Sequence, residues 1–479
     1  MRRVIRGIAL LTLAHVPVVL AQDVAQTVHP ALGDWLGTID AGVAQLRIAL
    51  TIERAQNGEL EATFNSVDQG ASVQVDSIAF EGGVLSFAVP SVQGTYEGRL
   101  QPEGRRIEGT WRQVGSTFPL TFERLDEPFV LRRPQNPEPP FPYESRDVEI
   151  RNERSEISLA CTLVVPSGGQ PGGTTYPAVL MLTGSGAQDR DETLMGHRPF
   201  WVIADHLARR SIASLRCDDR GVGGSEGNVF LSSLDEQAAD AEAAVRFLTM
   251  QPEIAEVGLI GHSEGALLAP IVASRGAAVD FLVLLAAPAV PMDELMMRQA
   301  RDLMAVRGVD PSLIDRALSE EAEELALVQS ESISRDQLID SLQARAADRR
   351  EELTASELEA LSLTEQTTER AIQQVATPWF RSLLRQDPAA FLGRLDVPVL
   401  ALFGAKDLQV AADVNAPAME RALDSAPTSD YTVRTIPDLN HLFQHAETGA
   451  TDEYGRIEET FAPEALTRIA DWITERTTP

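Results

Sequence analysis

The chain has 479 residues and a formal net charge of −30. That length suits two or three domains, and 44% hydrophobic with 23% charged residues is ordinary for a folded chain and argues against extensive disorder. The acidic balance excludes nucleic acid and anionic membrane surfaces as expected partners, because both need clustered positive charge.

The first element in chain order has the pattern of an export signal. Arg2, Arg3 and Arg6 precede the apolar runs Ile8–Leu13 and Val16–Leu20, and Val19 and Ala21 suit a small-residue cleavage site. A signal over residues 1–21 predicts a mature chain from Gln22, periplasmic or secreted. The run is too short for a membrane anchor and is broken by His15 and Pro17. No cysteine follows it for lipidation, and no later stretch is apolar enough to span a bilayer, so no integral membrane segment is expected after signal removal. Export permits disulfides, but Cys161 and Cys217 are too few for a disulfide scaffold.

Residues 22–130 read as a small all-β domain. About eight strands alternate apolar and polar residues: Trp35–Asp40, Gln45–Arg54, Leu60–Asn65, Val73–Phe80, Val84–Val89, Gly94–Leu100, Arg106–Gln113 and Phe118–Arg124. Turn pairs such as Asn57-Gly58, Gly82-Gly83 and Glu103-Gly104 separate them, which suits a meandering barrel. Gly33-Asp34-Trp35 resembles the lipocalin G-x-W signature, and Gly109-Thr110-Trp111 repeats it; such tryptophans read as core plugs. Residues 131–146 form a linker whose run Arg133 to Pro142 is proline-rich and extended.

From residue 147 to 479 the pattern changes. Strands at Val148–Arg151 and Ile157–Val165 come first. The apolar runs Ala178–Leu182, Ile212–Arg216, Val257–Ile260, Phe281–Ala286 and Val397–Phe403 then alternate with helical segments. That is the signature of a mostly parallel sheet covered on both faces. A last strand fits Tyr431–Ile436 and a closing helix Pro463–Thr474. Residues 291–390 interrupt the alternation with helical pattern, including Leu313–Val328 and Arg335–Leu361, and carry 20 acids against 11 bases. Their position predicts a cap over the C-terminal edge of the sheet.

Gly261-His262-Ser263-Glu264-Gly265 sits between an apolar strand and a helical run. G-x-S-x-G in that context is a nucleophile elbow, with Ser263 on a sharp turn whose neighbours must lack side chains. A serine needs a base, and the partners of such an elbow follow as acid and then histidine. Asp407 ends the Val397–Phe403 segment, with Asp413 as rival. His441 follows the last strand, with His445 as rival. The oxyanion needs two backbone N–H donors. One is Glu264; the other lies in Thr183-Gly184-Ser185-Gly186, with Ser185 first and Gly186 second. The charged residues Asp189, Arg190, Asp191, Asp218, Asp219 and Arg220 read as ion pairs bracing these loops. No His/Cys cluster has zinc spacing and Gly221–Gly227 lacks a phosphate-loop ending, so neither metal nor nucleotide is expected.

Together Thr183–Gly186 with Gln188–Asp191, Asp219-Arg220-Gly221-x-Gly223-x-Ser225, the elbow, Gly404-x-Lys406-Asp407 and Asn440-His441-Leu442-Phe443 resemble secreted bacterial serine esterases with the α/β-hydrolase fold, relatives of the prolyl-oligopeptidase branch. The resemblance implies an α/β fold with a helical cap, preceded by the small β domain. It implies cofactor-free hydrolysis of small-molecule carboxylic esters, usually of short acyl chain, with peptidase or aminoacyl-amide hydrolysis as the alternative. A non-catalytic binding module on the same fold is a further alternative. Cys161 and Cys217 depart from the glycine and aromatic residue expected there. In such a fold they lie on adjacent antiparallel strands, either as a disulfide or as two buried thiols. Of the basic residues only Lys406 is lysine. Composition bias accounts for that, but its place beside Asp407 suggests pairing with a loop carboxylate.

Overall fold

The computed structural model describes residues 29–40, 45–67, 71–113, 116–167 and 175–477. The export-signal expectation lies outside those residues.

Among the described residues, nine strands rather than about eight build the N-terminal domain: β1 (Gly33–Asp40), β2 (Gln45–Arg54), β3 (Leu60–Ser66), β4 (Ala71–Gln74), β5 (Ser77–Glu81), β6 (Val84–Val89), β7 (Gly94–Leu100), β8 (Arg106–Gln113) and β9 (Ser116–Arg124). They form one sheet in the order β4-β3-β2-β1-β9-β8-β7-β6-β5. The expected strand Val73–Phe80 breaks in its middle. There Val75 N–H donates to Ala62 on β3, while Asp76 N–H donates to Ala88 on β6. The two-residue step therefore carries the chain from one sheet edge to the other and brings the edges together.

Alternation along each strand sends one face inward. Trp35, Trp111, Tyr96 and Phe122 are at most 2% exposed there, and Phe64 stacks on Trp111 with ring centroids 5.1 Å apart. The G-x-W tryptophans are core plugs, as the sequence suggests.

The linker is held down. Arg133 donates to the carbonyls of Met195 and Gly455, and Gln135 accepts from Thr460 and Phe461 N–H. Arg47 of the barrel also reaches Gly455 O at 3.0 Å. The linker ends earlier than expected, because β10 already starts at Tyr143.

The second sheet has eight strands: β10 (Tyr143–Asn152), β11 (Ile157–Pro166), β12 (Tyr176–Leu182), β13 (Ala213–Cys217), β14 (Ile254–His262), β15 (Phe281–Leu285), β16 (Val399–Gly404) and β17 (Tyr431–Ile436). Their order is β10-β11-β13-β12-β14-β15-β16-β17. The β10–β11 and β11–β13 pairs are antiparallel and the rest parallel. Helices α1 (Pro199–Ala208), α2 (Leu234–Thr249) and α3 (Glu264–Ser274) cover it early in the chain, and α11 (Ala412–Asp424) and α12 (Pro463–Thr477) late. This is the α/β-hydrolase fold. Between β15 and β16 the cap contributes α4 (Met292–Val306), α5 (Pro311–Gln329), α6 (Arg335–Glu352), α7 (Ala355–Ala360), α8 (Glu365–Val375), α9 (Pro378–Leu384) and α10 (Pro388–Leu392). The expected helix Arg335–Leu361 is two helices, because Thr354 and Glu357 form a capping box that starts α7.

Cys161 and Cys217 face each other in the β11–β13 register and are bonded. The crosslink closes a loop of 56 residues of sequence separation, so chain entropy sets its contribution at about 4 kcal/mol or less. Reduction is expected to lower the melting temperature in calorimetry, and the native oxidised protein should show no alkylatable thiol by mass. Unchanged melting under reductant would refute the stabilising role.

Candidate active site

Ser263 stands between β14 and α3 with φ 54° and ψ −115°, a backbone that side chains other than glycine rarely adopt. The turn survives because its surroundings fix it. Ser263 N–H donates to Leu285 O at 2.9 Å, and the two flanking glycines let strand and helix touch. A Cβ on Gly265 would lie 2.0 Å from Leu182 O, and one on Gly261 would lie 2.2 Å from Gly265 O. Ser263 lines a cavity of about 290 Å³ together with Ser185, Glu264, Trp379 and His441.

His441 Nδ1 lies 2.8 Å from Asp407 Oδ2. Asp407 is 3% exposed, and its other oxygen accepts from Gln409 and Val410 N–H at 2.8 and 2.9 Å. Both oxygens are thus occupied and the carboxylate is fixed in rotation. The His441 loop is pinned by Asn440, whose Oδ1 accepts from Leu442 and Gln444 N–H. Lys406 fastens the same loop through Asp438 Oδ1 at 2.9 Å and Ala446 O at 2.7 Å. This is the pairing with a loop carboxylate that its position suggested. The rivals are engaged elsewhere: Asp413 with Arg298, and His445 with Glu459 and Glu464.

Glu264 begins α3, and the first N–H groups of a helix have no acceptor within it. Its N–H therefore suits the oxyanion. In the facing loop, Gly184 N–H is taken by Glu192 Oε1 at 2.6 Å. Ser185 lines the catalytic cavity, whereas Gly186 lines a neighbouring cavity behind the loop. Ser185 thus stands nearer the reacting atoms than the second candidate donor, Gly186.

The charged residues brace this loop as expected. Arg190 pairs with Asp218 and Asp147, Asp191 with Arg216 and Arg198, and Arg220 with Asp240. Asp219 differs. Among the described residues it has no cationic partner, and it accepts from Thr183 Oγ1 and Gln188 N–H, both at 2.9 Å. Burial pushes its carboxyl up to about 8, against the opposing effect of those hydrogen bonds.

Sequence reasoning missed two partners. The first is Glu192. His262 Nδ1 lies 2.9 Å from Glu192 Oε1, and its Nε2 lies 2.9 Å from the His441 carbonyl. Both ring nitrogens face oxygen atoms, an arrangement that favours the doubly protonated ring. Burial works against the imidazolium, but Glu192 and the His441 carbonyl outweigh it and raise its pKa above the usual 6.5. The ring also packs on His441 at 4.8 Å. One buried ion pair thereby ties the oxyanion loop to the histidine loop.

A raised pKa gives stability that is full below pH 6.5 and fades as pH climbs through the folded value. Glu192→Gln is therefore expected to melt lower than the parent by the widest margin at about pH 6, with the gap narrowing toward about pH 9. A gap that widens with pH would refute the ion pair.

The second missed partner is Trp379, from the cap. Its Nε1 donates to Glu264 Oε1 at 2.8 Å. Burial raises the Glu264 carboxyl, opposed by the hydrogen bond from Trp379.

Residues 200–448 match the family profile described as Serine aminopeptidase, S33. Esterase EstD of Thermotoga maritima is 26% identical over 338 residues, covering 70% of this chain and 68% of its own. Among solved structures, the Pyrococcus furiosus esterase Pf2001 is 17% identical with a TM-score of 0.42, covering 70% of this chain and 91% of its own. Est1E from Butyrivibrio proteoclasticus, solved with ferulic acid, is 16% identical with a TM-score of 0.40, covering 69% and 97%.

Proposed function

The chain belongs to the serine hydrolase family described as Serine aminopeptidase, S33, and from that premise we propose that it is a carboxylesterase acting on small-molecule esters of short acyl chain. Ser263 attacks the ester carbonyl while His441 takes its proton. Asp407 holds the imidazole and stabilises its charged form. The N–H groups of Glu264 and Ser185 receive the oxyanion. His441 then protonates the departing alcohol, and water activated by the same ring releases the acid.

One observation carries esters over aminoacyl amides. An aminopeptidase needs a carboxylate to hold the substrate's α-ammonium. The acidic side chains on the catalytic cavity are Glu192 and Glu264. Glu192 is occupied by His262 and Gly184 N–H, and Glu264 is buried against Trp379 with its carboxyl held up. Glu264 Oε2 has no hydrogen-bond partner among the described residues, but burial favours its neutral form, which is a poor counter-ion for an ammonium group. The esterase relative agrees with this reading, and the modest cavity agrees with a short acyl group.

We also infer that the protein is exported, as its N-terminal sequence and its buried disulfide suggest, and that it stands near the prolyl-oligopeptidase branch. A panel of p-nitrophenyl acetate and butyrate beside aminoacyl p-nitroanilides tests the function. Ester turnover should exceed anilide turnover; the reverse order would install the peptidase, and no turnover of either by folded protein would install the binding module.

A further inference from the structure

A second cavity, of about 470 Å³, lies within the cap among α4, α5, α6 and α8. Its walls are mainly apolar, with Met304, Leu313, Leu342 and Ile372 among them. The charged side chains at its margin are largely engaged: Arg349 pairs with Glu320 and Glu324, and Arg316 with Glu357. Glu321 stands beside them, its carboxyl raised to about 7 by burial and by Glu324. Protein interiors are close-packed, with few voids larger than a water. A mainly apolar space of this size suits an apolar occupant, and it falls within the range of small-molecule sites.

The cavity is contiguous with the catalytic one. Met296 and Phe380 line both and form the partition between them. Methionine is unbranched and readily changes rotamer, so this partition can part. Helix α4 is the common wall: Met292 and Leu295 face the catalytic cavity, while Leu303 and Met304 face the cap cavity.

Helix α4 also fixes which arm of the ester points this way. Gln299 Nε2 reaches Gln409 Oε1 at 3.4 Å, and Gln409 N–H donates to Asp407. The helix thus stands on the Asp407–His441 side of Ser263. That is the side on which His441 protonates the departing oxygen.

We propose that the cap cavity receives the apolar alcohol arm of the ester, so that the substrates are short-acyl esters of long or bulky uncharged alcohols. This rests on the esterase reading above. The test compares two series: alkyl acetates from ethyl to decyl, and p-nitrophenyl alkanoates from acetate to decanoate. Each is run on the parent and on Ala346→Trp, which fills the cavity from α6.

In the parent, kcat/KM for octyl acetate should exceed that for ethyl acetate by about tenfold or more, since each buried methylene contributes. The p-nitrophenyl series should not rise beyond butyrate. In Ala346→Trp the octyl-to-ethyl ratio should fall to about one. The ratio is read within each protein, so a global loss of activity cancels, and circular dichroism with melting checks the fold. Ala317→Phe, on α5, replaces Ala346→Trp if the latter does not fold.

A flat alkyl acetate series in the parent overturns the proposal. So does a ratio that survives the filling substitution, or a rise confined to the acyl series. Turnover of p-nitrophenyl acetate separates the two readings: with it present, a flat alcohol series removes only the cap site; with it absent, the esterase reading itself fails.

Discussion

Ser263→Ala should lower kcat on p-nitrophenyl acetate by about 10⁶-fold, and His441→Ala should lower it nearly as much. The double substitution should be no worse than either single one, because nucleophile and base act as a unit and the loss of one idles the other. What remains, about 10³-fold over water, should come from the oxyanion donors and binding alone. The fold should persist in Ser263→Ala. The strained φ of 54° is imposed by the Ser263 N–H bond to Leu285 and by the glycine contacts around it, none of which uses the hydroxyl. The measurement is steady-state kinetics with phosphonate titration, which should label the parent once and Ser263→Ala not at all. Retention of more than about 1% of parental kcat would refute Ser263 as nucleophile.

Much of this site could be read from the sequence, and the reasons are local. Ser263, Asp407 and His441 each follow the end of an apolar strand, and parallel strands deliver their C-terminal ends to one edge. That Cys161 and Cys217 face each other followed from the resemblance, which sets their strands side by side; disulfide or free thiols stayed open until the structure placed the bond. Lys406 could be assigned because its neighbour in sequence was already placed.

What escaped depends on partners distant in sequence. Glu192 meets His262 only once the oxyanion loop folds over the elbow, and Trp379 meets Glu264 only once the cap closes on α3. The break at Val75–Asp76 escaped for a different reason. The apolar positions shift from odd (Val73, Val75) to even (Ile78, Phe80) across Asp76-Ser77, a change of phase only one residue long, and the hydrogen-bond partners change sheet edge at the same place. The break before α7 had a signal that went unused: Thr354 stands three residues ahead of Glu357, the spacing of a capping box.

Asp407→Asn should lower kcat by about 10⁴-fold while leaving KM and the melting temperature little changed. The direction follows from the hydrogen bonds the carboxylate makes. One oxygen accepts from the Gln409 and Val410 N–H groups and the other faces His441 Nδ1. An asparagine must keep its carbonyl toward the two backbone donors, since turning it would set its NH₂ against both. Its NH₂ then faces His441 Nδ1, which must give up its proton and accept. The remaining proton moves to Nε2, the nitrogen that should receive the Ser263 proton. His441 is held in place in the wrong tautomer, and the charge of Asp407 no longer supports the imidazolium. Asp407→Ala leaves the tautomer free and should retain more activity than Asp407→Asn. Kinetics of the two variants side by side, with NMR of the His441 ring protons, check the argument. Equal activity in both, or Nδ1 still protonated in Asp407→Asn, would show that the acid's role is charge alone.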